Sequence, residues 1–118
     1  MQVSPFMYRS EIIHYFQKKN ILIESHKSLN RGDRISNDHI LENISKKHNK
    51  SPAQIMIRWG IQKSFCVICK TSCKERMVEN RDVLDFVLSD DDMQKLDNIT
   101  TKEEIQARKE HEFKSRCV

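Results

Sequence analysis

Glycine and proline are scarce, with two of each in 118 residues. That excludes collagen-like repeats and Gly/Pro-rich linkers. Long apolar runs are also missing: no uncharged stretch approaches the roughly 18 residues of a membrane span. No secretory leader opens the chain, because Met1 to Ser10 lacks a charged segment followed by an apolar one. The expectation is a soluble cytoplasmic protein with no membrane partner. Hydrophobic residues make up 37% and charged residues 32%. That apolar share is lowish but above a disordered chain's, and the length suits one domain.

Cysteine is present at 66, 69, 73 and 117. In an intracellular setting these thiols stay reduced. The run Cys66-x2-Cys69-x3-Cys73 invites a metal reading, but no second CxxC or His pair follows at zinc-finger spacing. The reading adopted is no metal, with Cys66 buried in a strand and two incidental thiols nearby.

The formal net charge of +4 is concentrated. Residues 58–81 carry Arg58, Lys63, Lys70, Lys74, Arg76 and Arg81 against Glu75 and Glu79, which accounts for all of it. A solvated helix face is one explanation. An anion site for phosphate or nucleic acid is the other.

Gln2–Ser4 reads as a short extended start, stopped by Pro5. Ser10 reads as the N-cap of a helix to about Lys19 with Ile12, Ile13 and Phe16 on one face, and Asn20 suits its C-cap. Ile21-Leu22-Ile23 reads as a buried strand. A polar loop through Asn30-Arg31-Gly32-Asp33 leads to a helix that starts near Ser36 or Asn37 and ends near His48-Asn49. Ser51 and Pro52 are an N-cap and N1 pair for a helix with Ile55, Met56 and Trp59 inward. Phe65–Ile68 reads as a second buried strand, and a helix runs from about Cys73 to Arg81. Ser89 caps a last clear helix, with Asp90, Asp91 and Asp92 in its positive first turn. From Thr100 the chain is a polar tail, either a marginal surface helix or disordered. The alternation of strands and helices is α/β, and short apolar strands predict a parallel sheet covered on both sides.

Several motifs in order carry a family resemblance. They are Gln2-Val3-Ser4-Pro5, Ile21 to Leu29, Ser51-Pro52-Ala53-Gln54-Ile55-Met56-Ile57-Arg58-Trp59 and Val67-Ile68-Cys69-Lys70-Thr71. Glu75-Arg76-Met77-Val78-Glu79-Asn80 and Leu88-Ser89-Asp90-Asp91-Asp92-Met93 with Leu96-Asp97 complete the set. Over residues 2–99 the chain resembles the C-terminal half of an aldo-keto reductase. The resemblance implies the C-terminal part of a (β/α)8 TIM barrel, about three parallel strands with flanking helices, left incomplete because a whole barrel needs roughly 200 residues or more. It divides the chain into a partial reductase domain at 1–99 and a polar tail at 100–118.

The family reduces aldehydes and ketones with NADPH, less often NADH. By position, Lys70, Thr71 and Arg76 resemble the residues that hold the 2′-phosphate, and Glu79 and Asn80 the pair at the adenine. Gln2 matches the Gln that bonds the nicotinamide carboxamide, and His26 matches the ring that stacks on the nicotinamide. Lys27 to Arg31, Leu29 among them, would line the pyrophosphate region. The chemistry agrees. A phosphate monoester carries nearly two negative charges at pH 7, which suits an Arg fork and a Lys. Thr71 and Ser72 precede a helix N-terminus, where hydroxyls and backbone N–H groups meet anions. Arg76, Glu79 and Asn80 share one helix face, where an Arg76–Glu79 surface pair worth about 0.3 kcal/mol is the plain alternative. Lys70 with Arg76 leans toward NADPH.

Three positions depart from the family pattern. Cys69 stands in place of a Pro, His26 in place of a Tyr or Trp, and Met1 in place of an Asn. A start methionine at the sixth barrel strand suggests a chain that begins mid-barrel, from a truncated gene, a split gene or a fragment. The family's catalytic Asp, Tyr, Lys and His belong to the missing first half. Tyr8 falls in a loop and Tyr15 reads as a helix-packing residue, while His14 and Lys18 read as a solvated pair. No catalytic residue is assigned, so the chain alone is expected to be inactive. Open strand edges and an uncovered sheet face would favour association, either as a poorly folded chain or with a complementary N-terminal half-barrel. Two other classes remain. One is a non-catalytic nucleotide-binding or interaction fragment. The other is a helix-turn-helix DNA binder over about 37–63, disfavoured because its turn lacks Gly and its second helix has only Arg58 and Lys63 as long cations; no nucleic-acid partner is expected.

Overall fold

The computed structural model describes the chain except for residues 31–34, 36, 117 and 118, and except for the side chains of 108, 112, 113, 115 and 116. Arg31, Gly32 and Asp33 of the polar loop, Ser36 and Cys117 therefore lie outside the described residues.

The elements are α1 (Ser10–Lys18), β1 (Glu24–Ser25), α2 (His39–His48), α3 (Pro52–Gln62), β2 (Cys66–Val67), α4 (Lys74–Arg81), α5 (Asp90–Asp97) and α6 (Lys102–Arg116). β1 and β2 pair in parallel, Glu24 with Cys66 and Ser25 with Val67. Gln2 adds a third parallel position through a bridge to His26. Helices connect these neighbours, as parallel pairing requires. The result is an α/β arc of three parallel strand positions with helices on one face.

The ends of α2, α3 and α5 follow the sequence signals, but the start of α1 does not: Ser10 lies inside the helix, and Arg9 is the N-cap with no side-chain cap bond. Ser51 accepts from Gln54 N while Gln54 Oε1 accepts from Ser51 N, a full capping box with Pro52 behind it. Ser89 and Asp92 form a second box. α2 is capped by Asp38, which accepts from Leu41 N at 2.9 Å, one residue beyond Asn37. The shortage of glycine leaves left-handed C-terminal positions to other residues. Asn20, Asn49 and Ser64 take φ of 57°, 52° and 62°. Each is followed by a six-to-one bond, Ile21 N to Phe16 O, Lys50 N to Ser45 O and Phe65 N to Gly60 O, which satisfies the last carbonyls.

The core lies between the sheet and the helices. Val3, Ile23 and Phe65, next to the paired positions, meet Ile13, Leu41, Ile44, Ile55, Met56, Trp59 and Leu96. Trp59 sits edge-on to Tyr8 and Phe65, and its Nε1 donates to Asp97 at 2.8 Å. Lys63 pairs with the same Asp97 and lies over the Tyr8 ring. Arg58 bonds Gln62 and the Val83 carbonyl. The second helix of the helix-turn-helix layout, α3, therefore packs on α2, β2 and α4, and both its cations are engaged within the chain. Gly60 lets α3 approach the sheet: a Cβ there would lie 2.8 Å from Val67 Cγ2.

Two strand expectations need correction. Pairing starts at Ile23, whose carbonyl accepts from Cys66 N at 2.9 Å, and covers Glu24–Ser25; Ile21 and Leu22 stand outside it, because Ile21 N is bonded to Phe16 O at the end of α1 and Leu22 is 68% exposed. The sheet is covered on one side only. Ile23, Ser25 and Phe65 are buried and Val67 is half-buried, whereas Leu22, Glu24, His26, Cys66 and Ile68 are exposed. Period-two alternation places these two sets on opposite faces. Cys66, expected to be buried, therefore lies on the open face. The tail is helical over α6, begun by a Thr101–Glu104 box, and Thr100 is tied to Pro5 O and Tyr8 N.

Candidate functional site

The ends of β1 and β2 open onto a cavity of about 520 Å³ lined by His26, Lys27, Ser28, Leu29, Ile68, Cys69 and Lys70. That size falls in the range of small-molecule sites, and the place is where barrel sites are built. The strand register sets the side chains. Gln2 is level with His26 through their bridge, and Ile68 N donates to Ser25 O at 2.9 Å. His26 N donates to Met1 O at 3.0 Å, and the His26 ring stays exposed. Partial burial, then the nearby N-terminal ammonium and Lys27, hold its pKa below the ordinary value.

A hydroxyl knot supports this end of the sheet. Ser25 Oγ donates to Val3 O at 2.7 Å and lies 2.9 Å from Ser28 Oγ. Ser28 Oγ in turn reaches Ser25 O at 2.8 Å and Ile68 O at 3.3 Å. All three strand positions are thereby cross-linked beneath the cavity. The turn above the knot holds Lys27 and Asn30 at φ of 54° and 48°, with Asn30 N bonded to Lys27 O at 2.8 Å. Leu29 packs against the core.

Beyond Lys70, Thr71 Oγ1 accepts from Cys73 N at 3.1 Å, and Cys73 caps α4 without a side-chain cap bond. Its thiol donates to Glu75 at 3.0 Å, the main cause that lowers the Glu75 pKa. Burial pushes the Cys69 thiol up. Among the described residues no cluster of three His, Cys, Asp or Glu could hold a metal ion.

α4 buries none of its own residues. Lys70, Lys74 and Arg76 are exposed, and no hydrogen bond or ion pair engages their side chains among the described residues. The Arg76–Glu79 surface pair is not formed. The Glu79 carboxylate instead accepts from Ser51 Oγ. Gln54 Nε2 donates to Glu79 O at 3.1 Å and Asp82 O at 2.9 Å.

The structure thus brings Gln2, His26, Lys27, Leu29 and Lys70 to one sheet end, with Thr71 and Ser72 leading from it into α4. Arg76, Glu79 and Asn80 follow on that helix, with the Glu79 carboxylate turned toward α3. Sequence reasoning missed Ser25, Ser28 and the second task of Ser51 and Gln54. The Ser-x-x-Ser spacing after an apolar run was the available signal for the first pair. Nothing local reveals the second, since its partners lie 25 to 28 residues away. Tyr15 is 57% exposed rather than packed, with Lys19 over its ring.

An arc of parallel strands with outer helices and a cavity at the strand ends defines a segment of a (β/α)8 barrel. The aldo/keto reductase family model matches residues 5–101, and the chain belongs to that family. It is 35% identical over 107 residues to 9,11-endoperoxide prostaglandin H2 reductase of Trypanosoma cruzi, covering 89% of this chain and 38% of that protein. It is 33% identical over 105 residues to glyoxal reductase of Bacillus subtilis, again 89% of this chain and 38% of that one. A crystal structure of a Gox0644 variant in complex with NADPH superposes with a TM-score of 0.82 at 34% identity, over 87% of this chain and 38% of that one. The chain thus spans about a third of the length of the relatives it matches.

Proposed function

We propose that this chain is the cofactor-binding part of an NAD(P)H-dependent aldo-keto reductase and is inactive as a reductase alone. The observation that carries the reading is the cavity at the ends of β1 and β2, flanked by Lys27 and Lys70 and continued by the cationic start of α4. The donor set fits a phosphorylated dinucleotide: two lysines and Arg76 without bonded partners among the described residues, the Thr71 and Ser72 hydroxyls, and the N-terminal amides of α4. Lys70, Thr71, Ser72 and Arg76 hold the 2′-phosphate, and Glu79 and Asn80 meet the adenine, Glu79 with the carboxylate oxygen that Ser51 Oγ does not take. Lys27 and Leu29 line the pyrophosphate path. Gln2 bonds the carboxamide, and the exposed face of His26 carries the nicotinamide. When bound, the dinucleotide supplies the hydride that reduces a carbonyl carbon.

The carbonyl oxygen also needs a positioned acid, and neither tyrosine serves. Tyr8 is buried, with its hydroxyl 3.3 Å from Lys63 Nζ. Tyr15 lies on the outer surface of α1. The uncovered face, with Leu22 68% and Ile68 48% exposed, suits a complementary N-terminal half-barrel that supplies the remaining strands and the acid. We assign residues 1–99 to the barrel part and 100–118 to a polar extension. No helix among the described residues is long and apolar enough to cross a membrane, and free thiols at Cys66, Cys69 and Cys73 fit a reducing cytoplasm.

Titration with NADPH and NADH, followed by NADPH consumption with aldehydes and ketones, tests the reading. The expected result is NADPH bound at least tenfold tighter than NADH and no consumption above the blank. No binding of either dinucleotide, or turnover by the chain alone, contradicts it, and equal binding of the two contradicts the 2′-phosphate roles of Lys70, Thr71, Ser72 and Arg76.

A further inference from the structure

We infer that the capping box of α3 is also the clamp that positions α4, so that Gln54 and Ser51 govern cofactor affinity without touching the cofactor. The inference rests on the reading that α4 carries part of the dinucleotide site. α4 buries none of its residues and has a run of exposed side chains from Lys74 to Val78. Apolar packing alone therefore does not fix its axis, and short exposed helices are unstable without tertiary support.

Polar bonds supply that support. The Gln54 amide is used at both ends. Its Oε1 accepts from Ser51 N at 3.0 Å, which completes the start of α3. Its Nε2 donates to the carbonyls of Glu79 and Asp82 at 3.1 and 2.9 Å. Those carbonyls belong to the last turn and the C-cap of α4, where acceptors outnumber backbone donors; Glu79 O also accepts from Asp82 N at 3.1 Å and Asp82 O from Lys50 Nζ at 3.4 Å. Ser51 Oγ likewise accepts from Gln54 N and donates to the Glu79 carboxylate. Gln54 is 7% exposed, so water competes poorly for these bonds. Arg76 is one turn before this anchor, on the same face as Glu79 and Asn80. Its reach toward a 2′-phosphate is set by how α4 is held.

Gln54→Glu separates the two tasks. Glutamate keeps the acceptor that caps α3 but cannot donate to the carbonyls of α4. The test compares backbone hydrogen exchange and the affinity for 2′,5′-ADP in the full chain, its Gln54→Glu and Arg76→Ala variants, and the double variant. Amides of α4 should exchange about tenfold faster in Gln54→Glu, the scale of one or two lost hydrogen bonds, while those of α3 hold. Affinity for 2′,5′-ADP should fall several-fold, and the loss should be clearly smaller in an Arg76→Ala background, because a large part of the change acts through Arg76 and the rest through Glu79 and Asn80 on the same helix.

Unchanged exchange in α4, or equal acceleration in α3 and α4, overturns the clamp. Faster exchange in α4 with additive affinity losses overturns its positioning role. No binding of 2′,5′-ADP by the unmodified chain overturns the cofactor reading and the positioning role, whatever α4 does. Gln54→Met removes the same donors without adding charge and is held to the same outcomes in α4 and in affinity if Gln54→Glu does not fold.

Discussion

Replacing Asp92 should be among the most damaging single changes in the helical layer. Asp92 is 1% exposed, yet it is a carboxylate. Its Oδ2 lies 2.8 Å from His48 Nε2, and both oxygens accept from Lys47 Nζ at 3.0 Å. Oδ2 also accepts from Ser89 N at 3.3 Å. Burial by itself would raise its pKa, but the bonds from His48, Lys47 and Ser89 outweigh it and hold the carboxyl well below the usual range. α5 is thereby fastened to the end of α2, more than forty residues earlier. The buried bond to His48 is worth about 2 kcal/mol. The Lys47 bond is discounted to about 0.5 kcal/mol because that side chain is half exposed, and the return bond of the capping box adds about 0.5 kcal/mol. Asp92→Ala should therefore cost about 3 kcal/mol and lower the melting temperature by about 10 °C or more. Asp92→Asn keeps an acceptor and should cost about half as much. Circular dichroism melts at one fixed protein concentration measure both, since association would otherwise shift the transition. The pH dependence has a definite sign. Folding depresses the pKa, so the unfolded chain takes the proton first. The contribution is complete above the unfolded value of about 3.9 and is lost as pH falls below it. The gap between the native chain and Asp92→Asn should close in that direction. A loss under about 0.5 kcal/mol for Asp92→Ala, or a gap that does not change with pH, would refute the reasoning.

Gly60→Ala should destabilise the chain by about 1–2 kcal/mol in urea unfolding, although alanine gains about 1 kcal/mol of helix propensity. The new Cβ would lie 2.8 Å from Val67 Cγ2, and a β-branched neighbour yields little; a net stabilisation would show that α3 can move off the sheet freely. Leu22→Glu with Ile68→Glu should make the isolated chain more monodisperse in light scattering, because both side chains lie on the uncovered face. An unchanged size distribution would mean that this face does not drive association.

What the sequence discloses, and what it hides, follows from the range of each interaction. Ser51-Pro52 and Ser89 announce their helices because a cap bonds within three residues. The family resemblance placed Lys70 at a strand end and Thr71 and Ser72 before a helix, and helical spacing put Arg76, Glu79 and Asn80 on one face. Of Ile21–Ile23 only Ile23 reaches the sheet, because Ile21 closes the end of α1, a use that apolar character does not distinguish from pairing. Burial of Cys66 was misjudged because a short apolar strand does not show how many of its faces are covered. Asp90, Asp91 and Asp92 look alike to the helix dipole. Only the third turns inward, and the partners that hold it there belong to α2. Glu79 was legible as a member of the motif, but its bond to Ser51 depends on how α3 and α4 are packed.

The most direct test is a fluorescence titration of the full chain with NADPH, alongside Arg76→Ala and with light scattering on the same samples. A charge-assisted contact to phosphate contributes about 1.5–3 kcal/mol, so Arg76→Ala should weaken saturable NADPH binding by tenfold or more and leave NADH binding almost unchanged. Absence of saturable binding by the monodisperse native chain, or equal affinity in Arg76→Ala, would contradict a cofactor site built from the ends of β1 and β2 and the helix that follows them.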